Sequence, residues 1–106
     1  MSRIPTYQEF WPFYVSQHRN TICRALHFIG TTCVILCLVF GVSVTPKFFI
    51  VAPFMGYAFA WVGHFVFEKN RPATFTYPLW SLFADFQMWA MILTGKMQAE
   101  IDRLPR

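Results

Sequence analysis

The chain has 106 residues, of which 56% are hydrophobic, 20% aromatic and only 13% charged. It is long enough for one domain, and its charges are too few to cover a water-facing surface, since soluble domains average about 25% charged residues. The high hydrophobicity excludes a disordered chain. The chain has three cysteines, a residue type that is common in protein cores, and they do not indicate a fold held together by disulfides. Together with two long apolar runs, this composition predicts a small all-α membrane protein with a single domain over residues 1–106.

The first predicted element is a helix over residues 7–18. Thr6 and, three residues later, Glu9 form a capping box at its start. Pro12 predicts a kink or a later start, because proline lacks the amide N–H that a helix interior uses. Aromatic residues share one face of this segment, which is typical of a helix anchored in the membrane interface.

Two apolar runs follow and predict a transmembrane helical hairpin. The first, residues 22–42, would be ~31 Å long as a helix, and the second, residues 48–67, ~30 Å, so both match the thickness of a bilayer core. With its start included, the second helix is predicted over residues 46–67. Asn20 is positioned to cap the first helix, and Thr45 with Pro46 to start the second.

A third apolar stretch, residues 79–95, follows a loop with two prolines and several charges. It is short for a full span and carries Asp85 near its middle, while Gly95 and Lys96 are typical of a helix C-terminus. We therefore expect an interfacial or re-entrant helix here, followed by a short polar helix end over residues 98–106.

Basic residues predict the orientation of the hairpin. The connection over residues 41–47 holds one of the nine, Lys47, and the other eight lie before the interior of the first run or after the second. Under the positive-inside rule both termini lie on the cytoplasmic side. The net charge of +4 is concentrated at the membrane borders and forms no stripe, so we expect no nucleic-acid partner.

Three histidines form the candidate site. His18 precedes the first transmembrane helix, His27 lies about five residues into it, and His64 lies near the end of the second. Because the two helices run antiparallel, all three imidazoles are expected at the same cytoplasmic level, where Gly30 and Gly63 would allow the helices to approach closely. Ionisable groups at this depth are costly unless they are satisfied, so the cluster is a functional candidate.

The donor set indicates the class of metal. Three imidazoles suit iron, zinc or copper better than magnesium or calcium, and three protein ligands leave positions for water, oxygen or substrate, as in catalytic sites. Glu68, four residues after His64, is expected on the same helix face. Asp85 or Asn20 could complete the site as a ligand or by holding an imidazole N–H.

Other interpretations stay open at this point. A histidine near a membrane interface is often only a hydrogen-bonded or snorkelling residue, and His27 and His64 could instead be the axial ligands of a haem. The polar cluster could also hold together the hairpin of a small structural or assembly subunit without enzymatic activity. The aromatic residues are expected to contact lipid or to wall an acyl-chain groove.

Three blocks of the chain resemble one known family. They are residues 17–30, with two histidines around Asn20, residues 63–73 and residues 78–89. In this order they resemble the small membrane 2-hydroxy-fatty-acid dioxygenases of fatty acid α-oxidation, whose studied eukaryotic member acts in phytosphingosine breakdown. The third block resembles the bacterial members, so the chain looks like a short bacterial-like member, expected in the bacterial inner membrane.

The resemblance implies an Fe(II)-dependent dioxygenase that uses O2 to convert a 2-hydroxy fatty acid into a fatty acid one carbon shorter, surrounded by membrane lipid. Carried over to this chain, the iron ligands would be His18, His27 and His64. Glu68 and Asp85 match positions in the same blocks and would be catalytic residues. A site that needs four histidines would take its fourth ligand from one of these carboxylates or from water.

The polar residues around the first histidine would bind the substrate. Arg19 or Arg24 could hold the fatty acid carboxylate by a bidentate pair, with Asn20 beside them. The apolar tail would then lie between aromatic walls in the lipid leaflet. The oligomeric state is left open.

Overall fold

The structure is a computed structural model that describes residues 3–105. Met1, Ser2 and Arg106, the last of the basic residues used above for the orientation, lie outside the described residues. Within the described range every regular element is helical, which confirms the all-α class. The elements are α1 (Tyr7–Ser16), α2 (Thr21–Ser43), α3 (Lys47–Val62) with a π-helical continuation (Gly63–Glu68), a 3₁₀ turn (Ala73–Phe75), α4 (Pro78–Leu93) and α5 (Met97–Asp102).

Helix α1 begins at its predicted cap. The Thr6 hydroxyl accepts a hydrogen bond of 3.2 Å from the amide of the third helical residue, and the helix includes Pro12 in its interior, so the later start considered above does not occur. It ends at Ser16, two residues earlier than predicted, because the chain must turn before Asn20, whose side-chain oxygen caps α2 by accepting from two amides. This turn carries His18.

Helices α2 and α3 form an antiparallel hairpin. Helix α2, and α3 together with its π-helical continuation, are long and apolar enough to cross a membrane, and their ends differ from the predicted ones by a single residue. A Cβ on Gly30 would lie 2.9 Å from the Phe59 Cβ, and one on Gly63 would lie 3.0 Å from the Cys23 Sγ. The two glycines therefore allow the close approach that was predicted at the level of the histidines.

The second arm of the hairpin changes its winding near its end. Over residues 63–68 the α-helix becomes a π-helix, in which each hydrogen bond spans five residues instead of four. Lys69 ends this segment in the left-handed conformation, with a φ of 58°, and the Asn70 amide donates to the His64 carbonyl at 3.0 Å. The sequence predicts a regular α-helix here, and the wider turn rotates the residues after His64 away from their α-helical positions.

Helix α4 connects two parts of the molecule. One side packs with α1 and α5 around a buried core of aromatic and aliphatic side chains. The other side packs on α2, where the Trp89 indole N–H donates to the Thr32 hydroxyl at 2.9 Å. The helix ends before Gly95, whose φ of 75° makes it the predicted terminator. The short polar helix end expected over residues 98–106 corresponds in part to α5.

Candidate metal centre

Three buried imidazoles meet at one point, from three different elements. His18 comes from the turn between α1 and α2, His27 from α2 and His64 from the π-helical segment, and they are only 1%, 4% and 2% exposed. Their ring centroids lie 4.5 to 4.8 Å apart in all three pairs. One ring nitrogen of each lies within 4.8 Å of a ring nitrogen of the other two. The predicted convergence of the histidines is thus confirmed.

The outer nitrogen of each ring has an oxygen partner. Nδ1 of His18 lies 2.6 Å from the Tyr14 carbonyl, and Nδ1 of His27 lies 3.0 Å from the Cys23 carbonyl. Nδ1 of His64 lies 2.7 Å from the side-chain oxygen of Asn70. Since carbonyl oxygens only accept hydrogen bonds, each Nδ1 must carry the proton and donate it. This fixes the tautomer in which Nε2 carries a free lone pair.

The lone pairs face one another inside the cluster. Nε2 of His18 lies 3.2 Å from Nε2 of His27, and neither atom has a proton to share when both Nδ1 atoms are protonated. Burial lowers the pKa of His18 well below its usual value, so the ring is neutral. A cation shared by the three nitrogens satisfies all of them at once, and hydrogen bonds from the second ring nitrogen to oxygen are typical of metal-bound histidines. The residues therefore fit a metal of the iron, zinc or copper type.

The π-helical segment and the left-handed Lys69 that ends it position Asn70 beside His64. Its side-chain amide donates to the Gln17 carbonyl at 3.0 Å, so its oxygen must point to His64. One side chain thereby connects the π-helical segment to the turn that carries His18. Sequence reasoning did not single out Asn70, because its contacts depend on a helix end that is not α-helical.

Tyr14 contacts His18 and connects it to Asp85. The Tyr14 ring stacks on His18 with centroids 4.1 Å apart, and its hydroxyl donates to the Asp85 carboxyl group. Burial raises the pKa of Asp85 to about 7, although the hydrogen bond from Tyr14 acts in the opposite direction. Asp85 lines the same cavity as the three histidines. The spacing of four residues between Tyr14 and His18 was the available signal for this pair.

The cavity beside the imidazoles has a volume of about 200 Å³. Residues of α2, α3 and α4 line it together with the segment over residues 72–74, and the cavity is partly open to the outside. Helices α3 and α4 both pack on α2. From His64 back to Pro53 its lining follows α3 for ~16 Å. Beyond the histidines and Asp85 the lining is mostly apolar and includes Thr31, Val34, Tyr57, Trp61, Leu82 and Phe86.

The other residues predicted for the site are not part of the cavity lining; they are Arg19, Asn20, Arg24 and Glu68. Glu68 accepts a hydrogen bond from the Asn20 amide and is not part of the lining that contains His64. Arg24 donates to the carbonyls of His18 and Arg19 at 2.7 Å each, and Arg19 donates to a carbonyl near the C-terminus. In the structure these four residues hold the turn that carries His18.

A haem between His27 and His64 does not fit this arrangement. A porphyrin would have to lie between two axial imidazoles. The centroids of the two rings are 4.8 Å apart with their planes at 90°, and His18 packs against both. Rings in direct contact leave no space for a flat macrocycle.

The fold and the site define a class: a small helical protein with two membrane-length apolar helices and a buried group of three histidines that could bind a metal ion. Residues 4–97 match the family model of the 2-hydroxy-palmitic acid dioxygenase Mpo1-like proteins, and the chain belongs to this family. The match covers all three blocks of the resemblance described above. No curated protein and no solved structure shows a significant match to the chain.

Proposed function

We propose that the protein is an Fe(II)-dependent dioxygenase that converts 2-hydroxy fatty acids into fatty acids one carbon shorter. The observation that carries the proposal is the set of three buried Nε2 lone pairs, each fixed by a hydrogen bond from Nδ1 to oxygen. The family name supports a dioxygenase acting on a 2-hydroxy acid. A ferrous ion bound by His18, His27 and His64 would supply the activation of O2.

The reaction balances without another reactant. One 2-hydroxy acid and one O2 give the shortened acid, CO2 and water, and the C1–C2 bond of the substrate is broken. The substrate loses four electrons and O2 accepts four, so no external reductant is needed. Turnover should therefore consume O2 and release CO2 in equal amounts.

Asp85 is proposed as the residue that moves a proton in this reaction. Tyr14 donates to its Oδ1, which leaves Oδ2 as the atom that can take a proton from the polar head of the substrate and return it. A carboxyl group with a pKa of about 7 can act in both directions near neutral pH. For Glu68 we propose an indirect role, through its hydrogen bond to Asn20 beside the His18 turn.

The substrate carboxylate needs a cation, and Arg19 and Arg24 remain the candidates proposed for it. Both guanidinium groups donate to backbone carbonyls, and part of their hydrogen-bonding capacity is used there. An arginine has five N–H donors, so these bonds still leave donors for a carboxylate. We propose that the two arginines bind the carboxylate from the edge of the site and take no part in the proton transfer.

The open side of the cavity supports an acyl substrate that enters from lipid. The outer faces of the hairpin and of α4 are strongly apolar: Val42 is 83% exposed, Phe54 72% and Leu79 79%. Such surfaces are stable when they contact lipid chains. We propose that the hairpin is inserted in the bacterial inner membrane with the histidines on the cytoplasmic side, so that the acyl tail lies between α3 and α4.

Purification without oxygen, followed by iron determination and incubation with 2-hydroxypalmitate and O2, tests the proposal. We expect about one iron ion per chain, pentadecanoate as the product, and CO2 formed from the carboxyl carbon of ¹³C-labelled substrate. Palmitate, which lacks the hydroxyl group, is the control substrate and should not react. Iron-loaded protein that yields no shortened acid, or that needs an added reductant, would contradict the proposal. It would favour the non-enzymatic subunit or another reaction.

The position of the acyl tail leads to a prediction about chain length. Val34 lies two turns of α2 beyond His27 and lines the cavity, so Val34→Phe should fill its far part. We expect kcat/KM for 2-hydroxypalmitate to fall about tenfold or more, with a much smaller loss for a short 2-hydroxy acid such as 2-hydroxyoctanoate. Val39→Phe is the control, since Val39 is on the same helix but 54% exposed. Equal losses for both acids would show that the tail does not lie beside Val34.

A further inference from the structure

One buried hydroxyl group on the cavity wall has no partner. Ser81 of α4 is 3% exposed, and its Oγ makes no hydrogen bond within residues 3–105. Burying a hydroxyl without a hydrogen bond costs free energy, so such a group needs an explanation.

Other hydroxyls of this chain satisfy themselves within their helix. Ser43 donates to the Val39 carbonyl and Thr94 to the Ala90 carbonyl, each at 2.8 Å and one turn back. This bond is the usual solution for serine and threonine in helices. Ser81 does not make it, and the Tyr77 carbonyl one turn back accepts only the Ser81 amide.

The unpaired hydroxyl group of Ser81 lies at the cavity beside the three histidines. Ser81 lines that cavity together with the three histidines and Asp85. It precedes Asp85 by four residues, so the two side chains share one face of α4. The next cavity-lining residues of this helix, Leu82 and Phe86, are apolar. The α4 wall thus presents two polar groups inside an otherwise apolar groove, which suits a ligand with a polar head and an apolar tail.

Resting on the function proposed above, we infer that Ser81 is a substrate-binding residue whose hydroxyl forms a hydrogen bond with the 2-hydroxyl group of the fatty acid. A 2-hydroxy acid satisfies the buried Oγ, whereas an unsubstituted acid leaves it without a partner. Sites built in this way reject the analogue that lacks the hydroxyl, because a buried polar group then stays unpaired. Ser81 therefore contributes to the preference for 2-hydroxylated acids.

The test compares the binding of two acids to the iron-loaded protein without oxygen, so that no turnover occurs. Titration of the tryptophan fluorescence, to which Trp61 in the cavity contributes, measures the dissociation constants of 2-hydroxypalmitate and palmitate. Wild-type protein should prefer 2-hydroxypalmitate, and Ser81→Ala should reduce this preference about tenfold by weakening that ligand alone. Ser43→Ala, the same substitution far from the cavity, should leave both constants unchanged.

Two further results decide between a binding and a structural role. Ser81→Ala should keep the iron content and should melt no lower than wild type, since it removes an unsatisfied group. Ser81→Cys, close in size but a weak hydrogen-bonding group, should lose most of the preference as well.

If both Ser81 variants still prefer 2-hydroxypalmitate over palmitate as strongly as wild type does, the inference is wrong, and an ordered water on the Ser81 Oγ is indicated. If the variants bind both acids more weakly by the same factor, the inference is also wrong, and Ser81 has a structural role. If the wild-type protein binds neither acid, the proposed function itself fails, and the inference fails with it.

Discussion

Replacing His27 with alanine is expected to remove iron from the purified protein and to lower turnover at least about a hundredfold. Only three imidazoles converge on the site, so the loss of one leaves two ligands and a cavity in place of the third. The same result is expected for His18→Ala and His64→Ala. Iron content after anaerobic reconstitution, measured by mass spectrometry, is the first readout, and formation of pentadecanoate is the second.

Gln17→Ala is the matched control for the histidine variants. Gln17 is next to His18 in the chain, but it contributes to the site through its backbone carbonyl, which accepts from Asn70 and is unchanged by the substitution. Iron content and turnover should stay at wild-type levels. Retention of iron and turnover in all three alanine variants of the histidines would refute a tri-histidine metal centre.

Asp85→Asn is expected to stabilise the metal-free protein at alkaline pH while it abolishes turnover. The pKa of Asp85 rises from 3.8 to about 7 in the folded state. Below the lower value the carboxyl is protonated in both states and has no effect on stability. Between the two values only the unfolded state ionises, so the free energy of unfolding falls by about 1.4 kcal/mol per pH unit.

Above the higher pKa both states are ionised, and the accumulated penalty stays constant at about 4 kcal/mol. Asparagine has no such penalty and can still accept the hydrogen bond from Tyr14 through its carbonyl oxygen. The variant should therefore match wild type at about pH 4 and exceed it by up to about 4 kcal/mol at about pH 8. Turnover should be lost, because the amide cannot exchange the proton.

Urea unfolding of metal-free protein in detergent, followed by circular dichroism across this pH range, measures the difference. Asp102→Asn is the control, since Asp102 is exposed on α5 and, among residues 3–105, accepts a side-chain hydrogen bond from Gln98 alone. A variant that is less stable than wild type at alkaline pH would mean that Asp85 is ionised and satisfied in the folded state. Full activity in Asp85→Asn would exclude the carboxyl as the proton-transfer group.

The sequence by itself determined the class of fold and which three residues, all histidines, come together in the candidate metal site. Two apolar runs of bilayer length can form only helices in lipid, and the antiparallel return of the second brings His64 to the level of His27. The caps at Thr6 and Asn20 were also predictable, because a side-chain oxygen satisfies amides only a few residues away. These features depend on spacing along the chain.

Only the tertiary structure decided how the histidines are held and what surrounds them. No local spacing predicted the π-helical turn over residues 63–68, nor that Glu68 at its end accepts a hydrogen bond from the Asn20 amide. The partners that fix the ring tautomers, above all Asn70, come from packing between distant segments. The unpaired hydroxyl of Ser81 is likewise visible only in the folded structure, because whether a buried group has a hydrogen-bond partner depends on all of its neighbours and not on the residue type.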